Sequence, residues 1–135
     1  MSSGAGMLYE ILSDLVKIEN VLFVVKSNGA VSEIRSNMLN IRQKGMGKWI
    51  NIGENDGPCH MHIDSELIKK VEFVKEQKPE RISFSVRFYD ENNERVLAAF
   101  VTKMYDDDMN IIPERLSNYE GLFEKYGSSD GILFL

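Results

Sequence analysis

Hydrophobic residues near the N-terminus recur at the spacing of one helical face. Between Met7 and Ile18 they are Leu8, Ile11, Leu12, Leu15 and Val16. Residues three or four positions apart lie on the same side of an α-helix, so the pattern predicts an amphipathic helix that packs on a core. Residues 1–6 lack this pattern and contain two serines and two glycines. We expect them to be disordered or to derive from an expression vector.

The middle of the chain shows the shorter period of β-strands. The apolar run 21–25 is followed by Asn28-Gly29, a dipeptide that tolerates the positive φ angles of a two-residue hairpin turn, and then by residues 30–35. In residues 81–89, apolar and polar side chains alternate, which predicts one buried face and one polar face. Further strands are predicted at 48–52, 59–63, 72–76 and 95–104, whereas residues 42–47 are predicted to form an irregular basic loop.

The C-terminal third predicts a second helix and an apolar tail. Pro113 is expected to open this helix, which ends at Gly127, because proline is favoured at a first helical position. The tail, residues 131–135, is too apolar to remain in water and is expected to cover a sheet or a partner subunit. The order of elements predicts an α+β fold, with a large antiparallel β-sheet meander flanked by N- and C-terminal helices. Since no linker or repeat interrupts the chain, residues 1–135 are predicted to form a single domain.

Charge and composition exclude several classes of protein. The chain carries 21 acidic and 16 basic residues, and the basic ones are scattered, which argues against nucleic acid as a partner. No apolar run reaches the roughly 18 residues of a membrane span, so no membrane association is expected. No secretory signal is recognisable, and the single Cys59 cannot form an internal disulfide, so we expect a cytoplasmic protein. The acidic triplet 106–108 is interpreted as a solvated turn, because the later ligands of an EF-hand loop are missing.

Both histidines and the only cysteine lie within four positions, in Cys59-His60-Met61-His62. In an extended chain, Cys59 and Met61 point toward the core, and His60 and His62 point to the polar face. The two histidine Cα atoms then lie roughly 7 Å apart, a spacing that allows both imidazoles to bind one metal ion. A metal-dependent enzyme is therefore one hypothesis, and a pair of histidines on a solvated sheet face is the alternative.

Five segments, in order, resemble the intracellular haem-utilisation family of the ChuX/HutX and HemS-like type. They are VLFVVKSNGAVSEI, GKWINIG, CHMHIDSELIKKVEFV, RISFSVRFYDENNERVLAAFVTK and PERLSNYEGLF. In that family, an apolar strand and hairpin precede an aromatic-x-Asn-Leu strand and a strand that ends in a histidine. The resemblance covers about residues 21–126. It implies a large antiparallel sheet with flanking helices, homodimers of the short members, and haem held in a cleft between sheet and helices.

The resemblance also implies site residues. His62 falls where the family has its strand histidine and is the expected haem contact, whereas His60 has no counterpart. Lys103 falls near the family's Gly-Lys/Arg pair at the end of the last long strand and is expected to face a propionate. Lys26 stands where some short members have a second histidine. Met46 stands where others have a histidine between glycines, which makes Met46 a candidate axial ligand.

The chemistry of haem adds three further candidates. Haem is a flat apolar disc with an anionic edge, so its site needs an apolar wall, an iron ligand and cations at the rim. Trp49 is the preferred wall residue, and Lys48, Arg87 or Lys103 would supply the rim. The expected function is haem binding and trafficking by a homodimer, with degradation of the bound haem as an open alternative. The competing hypotheses are a metal-dependent enzyme that uses His60 and His62, and a cofactor-free interaction module that retains the fold.

Overall fold

The structure is a computed structural model that describes residues 4–37, 39–45 and 47–135. Its helices are α1 (Gly4–Val16) and α2 (Pro113–Tyr126). The strands in these ranges are β1 (Val21–Ser27), β2 (Ala30–Ser36), β3 (Ile41–Gln43), β4 (Trp49–Ile52), β5 (Met61–Asp64), β6 (Lys70–Gln77), β7 (Ile82–Tyr89), β8 (Arg95–Val101) and β9 (Ile132–Phe134). The predicted α+β fold with a large antiparallel sheet and two flanking helices is confirmed.

The strands divide between two antiparallel sheets. The large sheet has six strands in the order β2-β1-β8-β7-β6-β9, and the small sheet has three in the order β3-β4-β5. Because β1 pairs with β8, the hairpin β1–β2 joins the far edge of the β6–β7–β8 meander. The chain between β2 and β6 forms the small sheet, so the predicted large meander is interrupted by a separate layer.

Helix α1 lies in a hydrophobic core to which both sheets contribute. The buried side chains of this cluster include Leu8, Ile11, Leu12 and Leu15 of α1, Phe23, Val86, Phe88 and Ala99 of the large sheet, and Ile50, Ile52, Met61 and Ile63 of the small sheet. Burial of each large apolar side chain stabilises a fold by about 1.5 to 3 kcal/mol. Each sheet therefore has an inner face on this core and an outer face that turns away from it.

Helix α2 packs on the inner face of the large sheet through aromatic side chains. The ring of Tyr119 lies 5.3 Å from that of Phe84 and 6.1 Å from that of Phe73, and Phe123 lies 5.6 Å from Phe73. All three pairs are edge-to-face, the arrangement that the ring quadrupole favours. Pro113 is the first helical residue, as predicted, and the helix ends at Tyr126.

Several boundaries differ from the sequence predictions. Helix α1 begins at Gly4, so residues 4–6, expected to be disordered, form its first turn. The predicted loop at 42–47 contains the end of β3, which forms because Ile41, Arg42 and Gln43 pair with β4. Strand β8 ends at Val101, before Lys103 adopts a left-handed conformation with φ of 54°.

Other local predictions are confirmed. The turn Asn28-Gly29 joins β1 to β2, and Gly29 has a φ of 82°. The apolar tail forms β9, which covers the edge of the large sheet by pairing with β6. In the acidic triplet, Asp106 Oδ1 accepts hydrogen bonds from the backbone N–H groups of Asp108 and Asn110, as expected of a turn. Within the described ranges, neither helix has the length and apolarity needed to cross a membrane.

Candidate functional site

The segment that carries the two histidines, which we call the histidine strand and define by residues 60–64, alternates between core and surface, as predicted. Met61 and Ile63 are buried, with exposed fractions of 9% and 5%, whereas His60 and His62 are exposed. Strand β5 begins at Met61 rather than Cys59, so His60 lies just before the strand. His62 thus projects from the outer face of the small sheet.

His62 has a defined partner on the neighbouring strand. Asn51 of β4 is its cross-strand partner, and the Asn51 Oδ1 atom lies 2.5 Å from His62 Nδ1. The Asn51 Nδ2 group donates to the carbonyl of Trp49 at 3.4 Å. On the other side, Arg42 of β3 is the cross-strand partner of Asn51. Three polar side chains therefore form a row across the outer face of the small sheet.

Trp49 and the histidines share this face, which we call the histidine face and define by Trp49, Asn51, His60, His62 and Asp64. Trp49 is 48% exposed, an unusual state for a large aromatic residue. The rings of His60 and His62 lie 5.4 Å apart. The face is an open sheet surface with an aromatic residue and two imidazoles, and not an enclosed cavity.

Lys48 borders the histidine face but is already paired. Its Nζ atom lies 3.3 Å from Asp64 Oδ2 and 5.5 Å from the centre of the Trp49 ring. A lysine held by a carboxylate and an aromatic ring is less available as a rim cation for a ligand.

The two histidines do not gain a third metal ligand from the described residues. No group of three or more His, Cys, Asp or Glu side chains that could hold a metal ion is found among them. Cys59 is half-buried, next to His60 in sequence. Zinc sites in proteins use three or four protein ligands, so the pair by itself does not form such a centre.

A second feature is a groove of about 440 Å³ beside the large sheet, which we call the basic groove. The outer faces of β1 and β8 contribute its apolar floor, Leu22, Val24 and Phe100. These side chains are half-buried, and they alternate with Val21, Phe23 and Val101, which belong to the core. The lining also includes Lys78, Arg81, Arg95, Lys103, Glu33 and Tyr105.

The charges that line the basic groove are predominantly positive. Lys78 Nζ lies 2.5 Å from Glu76, but in the part of the chain that the structure describes, Arg81, Arg95 and Lys103 form no ion pair. Among the described residues, Glu33 is the only carboxylate in the lining. Unpaired cations around an apolar floor attract anionic groups, so the groove is suited to an amphipathic anion.

The phenol of Tyr105 does not offer a free ligand atom to the groove. Its oxygen accepts a hydrogen bond from the backbone N–H of Ile82 and donates to the Ile82 carbonyl, both at 2.9 Å. The neighbouring Met104 is buried, with 4% of its surface exposed.

The structure does not bring all the predicted site residues together. Lys103 lines the basic groove, whereas Trp49, His60 and His62 do not. Arg87 lies on the outer face of the large sheet, where its Nε donates to Ser85 Oγ at 3.1 Å and its guanidinium lies 3.7 Å from Glu76. Arg87 is not part of the groove lining. Met46 lies outside the described residues.

The basic groove was not predicted from the sequence, although the sequence contains a pattern that indicates its apolar floor. Strands β1 and β8 contain the continuous apolar runs VLFVV and VLAAF instead of a strict alternation. Such runs indicate a strand with apolar side chains on both faces, and here the outer apolar side chains form the floor. Arg81 and Arg95 come from different hairpins, so nothing in their spacing predicted that they would line one groove.

Solved structures of low sequence identity share this fold. ChuX, a haem-binding protein, is similar with a TM-score of 0.74 at 15% identity, over 91% of this chain and 74% of that chain. Apo-PhuS, a haem-binding protein from Pseudomonas aeruginosa, has a TM-score of 0.67 at 13% identity, over 87% and 33% of the two chains. ChuS, an E. coli haem oxygenase, has a TM-score of 0.64 at 12% identity, over 89% and 35%. The present chain thus spans about a third of PhuS and of ChuS.

The family assignment rests on a match of the sequence to a family model and on the structural similarity to ChuX. No curated protein matches the chain significantly. A protein-family model matches residues 9–127, which is most of the chain and includes both the histidine face and the basic groove. Together with the similarity to ChuX, this match means that the chain belongs to the ChuX/HemS-like family of haem-utilisation proteins.

Proposed function

We propose that this protein binds haem in the cytoplasm and passes it on, with the iron chemistry left to the haem itself. Membership of a haem-utilisation family and the similarity of the fold to the haem-binding proteins ChuX and PhuS support this function. The basic groove is the observation that carries the proposal within this chain, because its apolar floor and basic lining suit an apolar disc with an anionic edge.

The chemistry of the groove agrees with that of a porphyrin. Its volume of about 440 Å³ is within the roughly 300 to 1,000 Å³ of small-molecule sites. Leu22, Val24 and Phe100 would contact the ring, and the unpaired Lys103 and Arg81 would bind the propionates. This arrangement retains the propionate role that the family resemblance implies for Lys103.

No histidine lines the groove, so an imidazole ligand for the iron would have to come from outside it. His62 is our candidate, with its Nε2 as the ligand atom and Trp49 beside it on the histidine face. His62 and the groove floor lie on outer faces of two different sheets, whose inner faces share one hydrophobic core. We therefore propose a homodimer in which His62 of one copy meets the basic groove of the other.

The first experiment is a titration of hemin into the purified protein, followed at the Soret band. The variants are His62→Ala, Lys103→Glu and Met46→Leu, with His60→Ala as the matched control from the same face. We expect saturable binding with a red-shifted band, loss of that band in His62→Ala, and weaker binding in Lys103→Glu. His60→Ala and Met46→Leu should behave like the parent protein.

Two results would overturn this proposal. If hemin does not bind, the chain is better explained as an interaction module that retains the fold. If hemin binds equally well to the His60→Ala and His62→Ala variants, His62 is not the ligand. Metal analysis of the purified protein tests the remaining alternative, because a metal-dependent enzyme would contain a stoichiometric divalent ion that is lost in both histidine variants.

Carriage and degradation of haem are distinguished with the loaded protein. Ascorbate and oxygen are added, and the Soret band is followed over time against free hemin. Carriage is supported if the Soret band of the loaded protein is stable and is replaced by the band of myoglobin only when apo-myoglobin is added as an acceptor. Loss of the band without an acceptor, with release of iron, would instead identify degradation.

A further inference from the structure

The side chain of Asn51 holds His62 in one orientation. Asn51 Oδ1 lies 2.5 Å from His62 Nδ1, and the two residues are directly opposite each other on β4 and β5. His60 lies nearby on the same face, where its ring contacts that of His62, but within the described residues neither of its ring nitrogens has a hydrogen-bond partner. The two histidines therefore differ in how firmly their rings are held.

The orientation of the Asn51 amide is determined by a second contact. The Asn51 Nδ2 group donates to the Trp49 carbonyl at 3.4 Å. If the amide were turned over, its oxygen would face that carbonyl, and two acceptors would be in contact. The Trp49 backbone thus directs the amide oxygen of Asn51 toward His62.

An amide oxygen can only accept a hydrogen bond, so His62 Nδ1 must be the donor. In a neutral imidazole only one nitrogen carries a proton, and the lone pair of His62 is then on Nε2. Metal-binding histidines commonly donate their other ring N–H to an oxygen acceptor in this manner, which fixes the tautomer and orients the ring. The exposed His62 ring has this arrangement, with Nδ1 against the Asn51 amide oxygen.

We propose that Asn51 is a positioning residue that fixes His62 as the Nδ1–H tautomer and so leaves Nε2 available to a ligand. This inference rests on the proposed function for its purpose, because the ligand would be the haem iron. It also explains why His62 and not His60 is suited to that role: only His62 has its other nitrogen occupied by an acceptor. The tautomer itself is a property of the protein without haem.

The test is a long-range ¹H–¹⁵N NMR spectrum of the haem-free protein at alkaline pH, where imidazoles are neutral. Nitrogen shifts distinguish a protonated ring nitrogen from one with a lone pair. In the parent protein, His62 is expected to show a protonated Nδ1. Asn51→Leu, which has a similar size but no acceptor, should give a mixture of tautomers, whereas Asn51→Asp, which retains an acceptor oxygen, should keep Nδ1 protonated.

His60 provides the control within each spectrum, because its tautomer should not respond to Asn51. The inference is wrong if His62 carries its proton on Nε2 in the parent protein, or if Asn51→Leu leaves the His62 spectrum unchanged.

Hemin affinity is measured alongside, and Asn51→Leu is expected to weaken it by on the order of 10- to 100-fold, with partial recovery in Asn51→Asp. Absence of hemin binding with the predicted tautomers would overturn the proposed function, while the spectra would still support the positioning role of Asn51.

Discussion

His62 lies on the small sheet and Lys103 follows the last strand of the large-sheet meander, although the family resemblance assigns both to the haem site. His62 projects from the small sheet, where its neighbours Met61 and Ile63 are buried. Lys103 follows β8 of the large sheet and lines the basic groove. The imidazole and the basic groove therefore belong to different sheets of one chain, and in the proposed homodimer a second copy brings them together.

This relationship predicts that two defective variants complement each other. His62→Ala keeps an intact groove, and Lys103→Glu keeps an intact imidazole. If the site lies between two copies, a mixed dimer contains one site with both Lys103 and His62. We therefore expect a mixture that has exchanged subunits to regain the red-shifted Soret band at limiting hemin.

The control for this experiment is the same mixture without subunit exchange, which should give the average of the two variants. Exchange is verified by light scattering and by mass spectrometry of differently labelled copies. If exchanged dimers bind no more hemin than the average, His62 and Lys103 do not act on the same haem across an interface.

The fold was predictable because its long strands carry a strong pattern. The Asn28-Gly29 turn joins β1 to β2 as predicted, and the alternation in β7 correctly places Phe84, Val86 and Phe88 in the core, although Ser85 on the predicted polar face is buried too. Strand β3 was missed because three residues are too few to show a period. It forms because Ile41 and Gln43 pair with β4, which depends on tertiary structure and not on local propensity.

The site was only partly predictable for a similar reason. Alternation around Met61 correctly predicted that His60 and His62 are exposed, because this depends only on neighbouring residues. The separation of His62 from Lys103 depends on which sheet each strand joins, and the sequence pattern of β5 or β8 does not contain that information. The contact between Asn51 and His62 likewise depends on the register between β4 and β5, so it could not be predicted from either strand alone.

Tyr119 is predicted to stabilise the fold through its hydroxyl as well as its ring. The residue is fully buried, and its hydroxyl donates to the backbone carbonyl of Ser85 at 2.9 Å. Burial is the main reason that the pKa of Tyr119 is raised, so the hydroxyl remains a donor well into the alkaline range. Tyr119→Phe removes the donor and leaves a buried carbonyl without this partner, which should lower the free energy of unfolding by about 1 to 2 kcal/mol.

Urea denaturation measures this change, and Tyr9→Phe is the matched control. The Tyr9 hydroxyl donates to the Ile41 carbonyl at 3.3 Å, but this side chain is only half-buried. We expect a loss below about 0.5 kcal/mol for Tyr9→Phe, because water can replace its hydrogen bond. Equal losses in the two variants would contradict the assigned importance of the Tyr119 hydroxyl.

Gly53 is predicted to be required for the start of the histidine strand. It has a φ of 83°, and a Cβ atom there would lie 3.0 Å from the His60 Cα and still closer to the Cys59 carbonyl oxygen. Gly53→Ala therefore combines backbone strain with overpacking, at roughly 2 to 5 kcal/mol. Thermal melting should show the loss of stability, and NMR should show displaced His60 and His62 resonances.

Gly29→Ala separates the two contributions. Gly29 has a similar φ of 82°, but a Cβ atom there would meet nothing within 4 Å. We expect this variant to lose about 1 to 2 kcal/mol from strain alone, without any change at the histidines. If Gly53→Ala is as mild as Gly29→Ala, close packing at Gly53 does not position the histidine strand.

Asp14 is predicted to make stability depend on acidic pH, because it joins the two helices. Its Oδ2 atom lies 2.8 Å from Lys125 Nζ and accepts a hydrogen bond from the Tyr126 hydroxyl at 2.5 Å. Burial raises the pKa of Asp14, but the hydrogen bonds from Lys125 and Tyr126 outweigh burial, and the pKa is lowered overall. The carboxylate is therefore favoured in the folded protein.

The pKa of Asp14 is lower in the folded protein than in the unfolded chain, so its carboxylate stabilises the fold. This stabilisation is fully present above the ordinary aspartate pKa of about 3.9. It is lost as the pH falls through the pKa of Asp14 in the folded protein. At neutral pH, Asp14→Asn should lower the free energy of unfolding by about 1 kcal/mol, because the helix contact is near the surface and screened by solvent. The difference from the parent protein should shrink below the ordinary aspartate pKa, because the unfolded parent chain is protonated there while the folded one still holds the carboxylate, and it should be lost once the folded carboxylate is protonated as well. Asp107→Asn, at an exposed position without an ion pair among the described residues, serves as the control and should change little at any pH. Urea denaturation between pH 7 and pH 2.5 measures both variants, and a pH-independent effect of Asp14→Asn would mean that the carboxylate charge does not stabilise the contact between α1 and α2.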